Sequence, residues 1–84
     1  MATLMYSFAQ LEAFTAVAEH GSLMKAASKL GKDRTTLRDL IDFLEDGLGY
    51  ALFVREGRHL QLTPEGEQLQ RQAHLLMRQK RAFE

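Results

Sequence analysis

Between Gly31 and Tyr50 the sequence GKDRTTLRDLIDFLEDGLGY sets Lys32, Arg34 and Arg38 close together, then turns acidic at Asp39, Asp42, Glu45 and Asp46. Arginines four residues apart in a helix share a face. Each offers a planar fork of donors that fits the O6 and N7 acceptors of a guanine edge, and a threonine beside them offers a hydroxyl or a methyl group to a base. The chemistry on offer is hydrogen bonding to a nucleic acid. The plainer alternative is a solvated helix face on which Arg38 pairs with Asp42, four residues further on.

Other chemistries find no support in the residues. His20, His59 and His74 are scattered and lack zinc-ligand spacing, and Asp42, Glu45 and Asp46 have no partner base, so they read as a solvated face. The glycines of GLGYAL do not complete a nucleotide-binding fingerprint. There is no cysteine, which removes disulfides and thiolate metal sites and favours a reducing compartment. The expectation is a protein with no catalytic residues, no metal and no cofactor, hence not an enzyme. Eleven Lys and Arg balance eleven Asp and Glu for a net charge of +0, so affinity for DNA must come from local patches.

The chain of 84 residues is one small domain with little stability to spare, for which oligomerisation is the available staple. MATLMYSF lacks the basic start and long apolar run of a signal peptide, and no segment approaches the ~20 apolar residues of a membrane span. The sequence therefore reads as soluble and cytoplasmic.

Ser7 with Gln10 forms a capping-box pair that predicts a helix starting at Phe8. Leu11, Phe14, Val17 and Ala18 share its buried face, and Gly21 ends it. Ser22 caps a shorter second helix lined by Leu23, Ala26, Ala27 and Leu30, which stops at Gly31. Asp33 caps a third, with Leu37, Leu40, Ile41, Leu44 and Leu48 inward and an end near Gly47 to Gly49. The apolar runs Leu52 to Val54 and Leu60 to Leu62 flank Glu56-Gly57-Arg58 as a small hairpin. Thr63-Pro64-Glu65 starts a last helix that runs to the end of the chain, with a weak spot at Gly66. Because the chain stops in mid-helix, it reads as a fragment of something longer or as a helix completed by a second copy.

Two helices joined around a glycine form a helix-turn-helix, whose second helix lies in the major groove of DNA. Ala27 supplies the small residue at the crossing and Gly31 the turn, while Leu37 and Leu40 hold the reading helix down. Lys32 stands where an aliphatic residue usually fills the turn, and its methylene stem can cover the same surface. This arrangement leaves Arg34, Thr35 and Arg38 outward. Arg55, Arg58 and His59 on the hairpin, and Lys25 and Lys29 on the second helix, are placed for phosphates or the minor groove.

FTAVAEHGS, AASKL, LIDFLEDGLGYALFVR, the wing GRHLQLT and the following Gly66 together resemble the N-terminal domain of LysR-type bacterial transcription regulators, over a stretch from Phe8 to Leu69. The resemblance implies a mainly α winged helix-turn-helix, three helices with a small β-hairpin wing, followed by a long linker helix. It divides the chain into a tail (1–7), the winged domain (8–62) and a linker or dimerisation helix (63–84). It further implies sequence-specific binding to a near-palindromic duplex as a homodimer, on the bacterial nucleoid, with the family's effector-sensing domain absent from this chain. Lys25, Lys32, Asp33, Arg34, Thr35, Thr36, Arg38, Arg55, Arg58 and His59 are the DNA-contact candidates. Where the family's turn resembles VSQPALS, this chain has KDRTTLR, Lys32 to Arg38, so the resemblance carries the fold but no target sequence.

Leu69, Ala73, Leu76 and Phe83, with Lys80 in the gap, recur at coiled-coil spacing. They can pack against the chain's own first helix or form a dimer seam, and a long terminal helix that extends beyond a small domain favours the seam. A competing function is also drawn from the residues. Zero net charge and the acids of the third helix suit a protein-interaction and oligomerisation module with little or no DNA binding.

Overall fold

A computed structural model describes residues 7–83; the side chains of Met77 and of residues 79–83 lie outside what it describes. The order is α1 (Phe8–His20), α2 (Leu23–Leu30), α3 (Arg34–Leu48), β1 (Phe53–Glu56), β2 (His59–Leu62) and α4 (Pro64–Phe83).

Each helix begins where a side chain satisfies an orphan amide. Ser7 accepts from the Gln10 amide at 3.2 Å while Gln10 Oε1 accepts from the Ser7 amide at 3.0 Å. Ser22 accepts from the Lys25 amide at 3.2 Å, and Asp33 Oδ1 from the Thr36 amide at 2.7 Å. Thr63 is the most heavily engaged. Its Oγ1 accepts from the Gly66 amide at 3.0 Å and donates to the Ala51 carbonyl at 2.8 Å, while its own amide donates to the Leu52 carbonyl at 2.9 Å. The start of α4 is thereby tied to the approach to the wing.

Two apolar clusters hold these elements together. Ala13, Ala16, Val17, Ala26, Ala27, Leu37 and Ile41 form the first, where small alanines let α1, α2 and α3 approach closely. Leu11, Phe14, Leu44, Leu52, Leu69 and Ala73 form the second, which joins α1, the far half of α3, the base of the wing and α4. Phe53 packs against both clusters and meets the ring of Phe14 at 5.5 Å between centroids. Full burial of a side chain such as Phe14 stabilises the fold by about 1.5–3 kcal/mol.

The structure corrects three expectations. β1 starts at Phe53: the Leu52 carbonyl still accepts from Thr63, its partner in the hairpin register, but its amide leaves the ladder and donates to Glu45 Oε2 at 2.7 Å. Glu45 is thus a half-buried latch between α3 and the wing, not part of a solvated face. Gly66 is a packing requirement, not a weak spot. A Cβ there would lie 2.3 Å from the Leu52 carbonyl oxygen, so only glycine lets α4 come this close. Leu69 (6 % exposed) and Ala73 (0 %) pack within their own chain, in the second cluster, one of the two packings the sequence left open for this stripe.

Candidate nucleic-acid interface

Gly31, in the left-handed conformation with φ 69°, turns the chain between α2 and α3, and the Lys32 amide closes back on the Ala27 carbonyl at 3.0 Å. A side chain with a Cβ is strained at such a φ. The turn sets α3 across α2, and buried Leu37, Ile41 and Leu44 with half-buried Leu40 fix the rotation of α3. Its first two turns then present Arg34, Thr35 and Arg38 to solvent.

The wing completes the surface through its register. Antiparallel partners share a face, and β1 and β2 pair as Phe53 with Leu62, Val54 with Gln61, Arg55 with Leu60 and Glu56 with His59. Arg55 therefore stands on the inner face with Phe53, Leu60 and Leu62, toward α3. His59 stands with Val54 and Glu56 on the outer face. The amide of Leu60 also donates to the Gly21 carbonyl at 3.2 Å, which ties the wing to the end of α1.

Together these elements line one concavity of about 360 Å³, formed by Ser22, Leu23 and Met24 at the start of α2, Arg34, Thr35 and Arg38 of α3, and Arg55, Arg58 and Leu60 of the wing. Arg34, Thr35 and Arg38 of the helix and Arg55 and Arg58 of the hairpin, which the sequence places on two elements, are brought together there. Among the described residues none of these guanidinium groups is held by a carboxylate, and Arg38 does not pair with Asp42. Unpaired guanidinium groups around a shallow concavity fit phosphates and base edges.

The remaining candidates are exposed but stand outside this concavity. Lys25, Lys32, Thr36 and His59 do not line it. Asp33 is engaged by its own helix, and the amide of Thr36, followed by its hydroxyl, holds the Asp33 carboxyl below its ordinary value. Lys29 faces a different groove, with Glu12, Glu19, His74 and Arg78. The acids of α3 are nearer the arginines than the sequence suggested, since Asp42 and Glu45 share an adjoining groove of about 160 Å³ with Arg38 and Arg55.

On α4, Leu75 and Leu76 are 59 % and 44 % exposed. Leu75 lies outside the stripe read from the sequence, and its exposure follows from which face of α4 the core takes. Lys80 and Phe83 lie outside the described side chains. Among the described residues no group of His, Asp or Glu is arranged to hold a metal ion, and no helix is long and apolar enough to cross a membrane.

Residues 8–67 match the family model described as a bacterial regulatory helix-turn-helix protein of the lysR family. A probable hydrogen peroxide-inducible genes activator from Mycobacterium xenopi is 43 % identical over 77 residues, which are 92 % of this chain and 41 % of that protein. The HTH-type transcriptional activator AllS of Klebsiella pneumoniae is 48 % identical over 63 residues, 75 % of this chain and 23 % of AllS. The chain thus spans less than half the length of these curated relatives. Among solved structures, the BenM DNA-binding domain in complex with benA site 1 DNA superposes with a TM-score of 0.88 at 34 % identity, covering 92 % of this chain and 90 % of that one. Oxidised OxyR of Corynebacterium glutamicum gives 0.90 at 32 % identity, over 98 % of this chain and 26 % of OxyR. With its turn, reading helix and wing all within the matched stretch, this chain belongs to the lysR family of bacterial regulatory helix-turn-helix proteins.

Proposed function

We propose that this chain is the DNA-binding domain of a transcription regulator, with no enzymatic activity, that acts on duplex DNA in the cytoplasm. The observation that carries the reading is the gathering of Arg34, Thr35, Arg38, Arg55 and Arg58 around one concavity, with no carboxylate partner among the described residues. The first two turns of α3 enter the major groove, where Arg34, Thr35 and Arg38 meet base edges. Arg55 and Arg58 hold the wing against the sugar-phosphate backbone, and Lys25 and Lys32 steady the flanks. The likeness to a family member solved on its DNA site supports this placement.

The active unit is a homodimer. Exposed Leu75 and Leu76 supply the apolar surface of α4 for pairing, and two-fold symmetry then requires a near-palindromic site with half-sites in successive major grooves.

The test is selection of bound duplexes from a random pool at two salt concentrations, with the unmodified chain and with Arg34 and Arg38 both replaced by alanine. The reading requires an enriched near-palindrome that the double variant no longer enriches, and binding that weakens steeply with salt. One observation favours a second reading, a protein-interaction module: Asp42 lies beside Arg38 and Arg55, and the chain has no net positive charge. That reading requires self-association in both forms with no duplex enrichment in either.

A further inference from the structure

Arg34 and Arg38 stand four residues apart on the exposed side of α3 and line the same concavity, with Thr35 beside them. At a rise of ~1.5 Å per residue, four residues advance about 6 Å along the helix axis and turn by roughly 40° past a full revolution. The two side chains therefore leave the helix in nearly the same direction. Base pairs rise about 3.4 Å along the duplex axis and their edges lie further apart along the winding groove, so an advance of about 6 Å spans no more than about two base steps. Burial of Leu37, Ile41 and Leu44 on the opposite side fixes the rotation of the helix, and the Asp33 cap fixes its first turn.

The chemistry of the two groups narrows the bases they can read. A guanidinium donates and never accepts. In the major groove only guanine presents two acceptors side by side, O6 and N7. Adenine pairs one acceptor with a donor, thymine one acceptor with a methyl group, and cytosine offers a donor. With no carboxylate on either arginine among the described residues, both forks are available to a ligand. Lys32 and Lys25, outside the concavity, are left for phosphates.

We infer that each half-site carries two G·C pairs separated by two base steps, one read by Arg34 and the other by Arg38, with Thr35 facing the pair between. The inference rests on the DNA-binding reading above and adds to it the identity of the bases.

The test uses the 84-residue chain and duplexes randomised across one half-site, selected with the unmodified protein and with Arg34→Ala and Arg38→Ala separately. The selected duplex is then titrated with each guanine in turn replaced by 7-deazaguanine, which lacks the N7 acceptor. Two enriched G·C pairs two steps apart are expected. Each alanine variant should relax one of them and keep the other, with affinity for the selected duplex falling roughly 5- to 150-fold. Deazaguanine at one position should weaken the unmodified chain but not the variant that already lacks its arginine. The arm with the unmodified chain leaves the protein unaltered, so the loss at each guanine does not depend on how either variant folds. An enriched site without the G·C pair spacing overturns the inference. So do alanine variants that weaken all duplexes alike and each lower the salt slope by about one, the behaviour of phosphate contacts; DNA binding itself would then still stand. If the unmodified chain retains no duplex at all, the DNA-binding reading fails, and the base assignment with it.

Discussion

The two ends of α3 differ in what holds their side chains. At the N-terminal end Arg34, Thr35 and Arg38 are exposed, and among the described residues no carboxylate holds either arginine. At the other end Leu44 is fully buried between α1 and α4, and Glu45 grips the Leu52 amide. One helix thus carries a surface available for recognition and, about two turns later, a joint of the fold. Changes at the first end should therefore alter binding with little loss of stability, and changes at the second should do the reverse.

The largest effect should come from emptying the joint. Phe14→Ala removes the ring that packs against Phe53 and should cost about 3–5 kcal/mol in urea unfolding. For a chain of this length that is a large share of a total of about 4–12 kcal/mol. Gly66→Ala should cost about 1–3 kcal/mol or more, because the clash is with the Leu52 carbonyl and backbone does not yield as a flexible side chain does. Glu45→Ala should follow at about 1–3 kcal/mol, since it leaves the part-buried Leu52 amide without its acceptor. Arg34→Ala and Arg38→Ala should shift unfolding by no more than about 0.5 kcal/mol while lowering duplex affinity. A stability loss as large as that of Glu45→Ala would erase the contrast between the two ends.

The smallest effects sharpen the contrast at its boundary. Asp42→Asn removes a charge from the groove it shares with Arg38 and Arg55, and should tighten duplex binding a few-fold at low salt and less at high salt. Asp33 gives a pH signature. Its carboxyl titrates below its ordinary value in the folded chain, chiefly because the Thr36 amide hydrogen-bonds to the charged form. Stability from this cap is present above the unfolded value and is lost as pH falls through the lower, folded value. Acid titration of Asp33→Asn against the unmodified chain should show that component missing.

Much of this was legible in the sequence because the signals are local. Ser7 with Gln10, Ser22, Asp33 and Thr63 act within three residues of themselves, so their caps could be named before the fold was known. The apolar period of α3 gave its buried face, and with it the outward Arg34, Thr35 and Arg38. What escaped depends on distant partners. The need for glycine at position 66 comes from the carbonyl of Leu52, and the role of Glu45 from an amide seven residues away. The stripe Leu69 and Ala73 has the same period whether it meets its own chain or a second copy, so only the packing could assign it to the core. The wing's separation of Arg55 from His59 needed the strand register, which two short apolar runs do not set.

The most direct test of the contrast within α3 is a titration of the 15N-labelled chain with a selected duplex, followed by amide chemical shifts. The account predicts that the amides of Arg34, Thr35, Arg38, Arg55 and Arg58 move, while those of Leu44 to Gly49 stay in place. Shifts concentrated on the acidic end of α3, or none at the arginines, would contradict it.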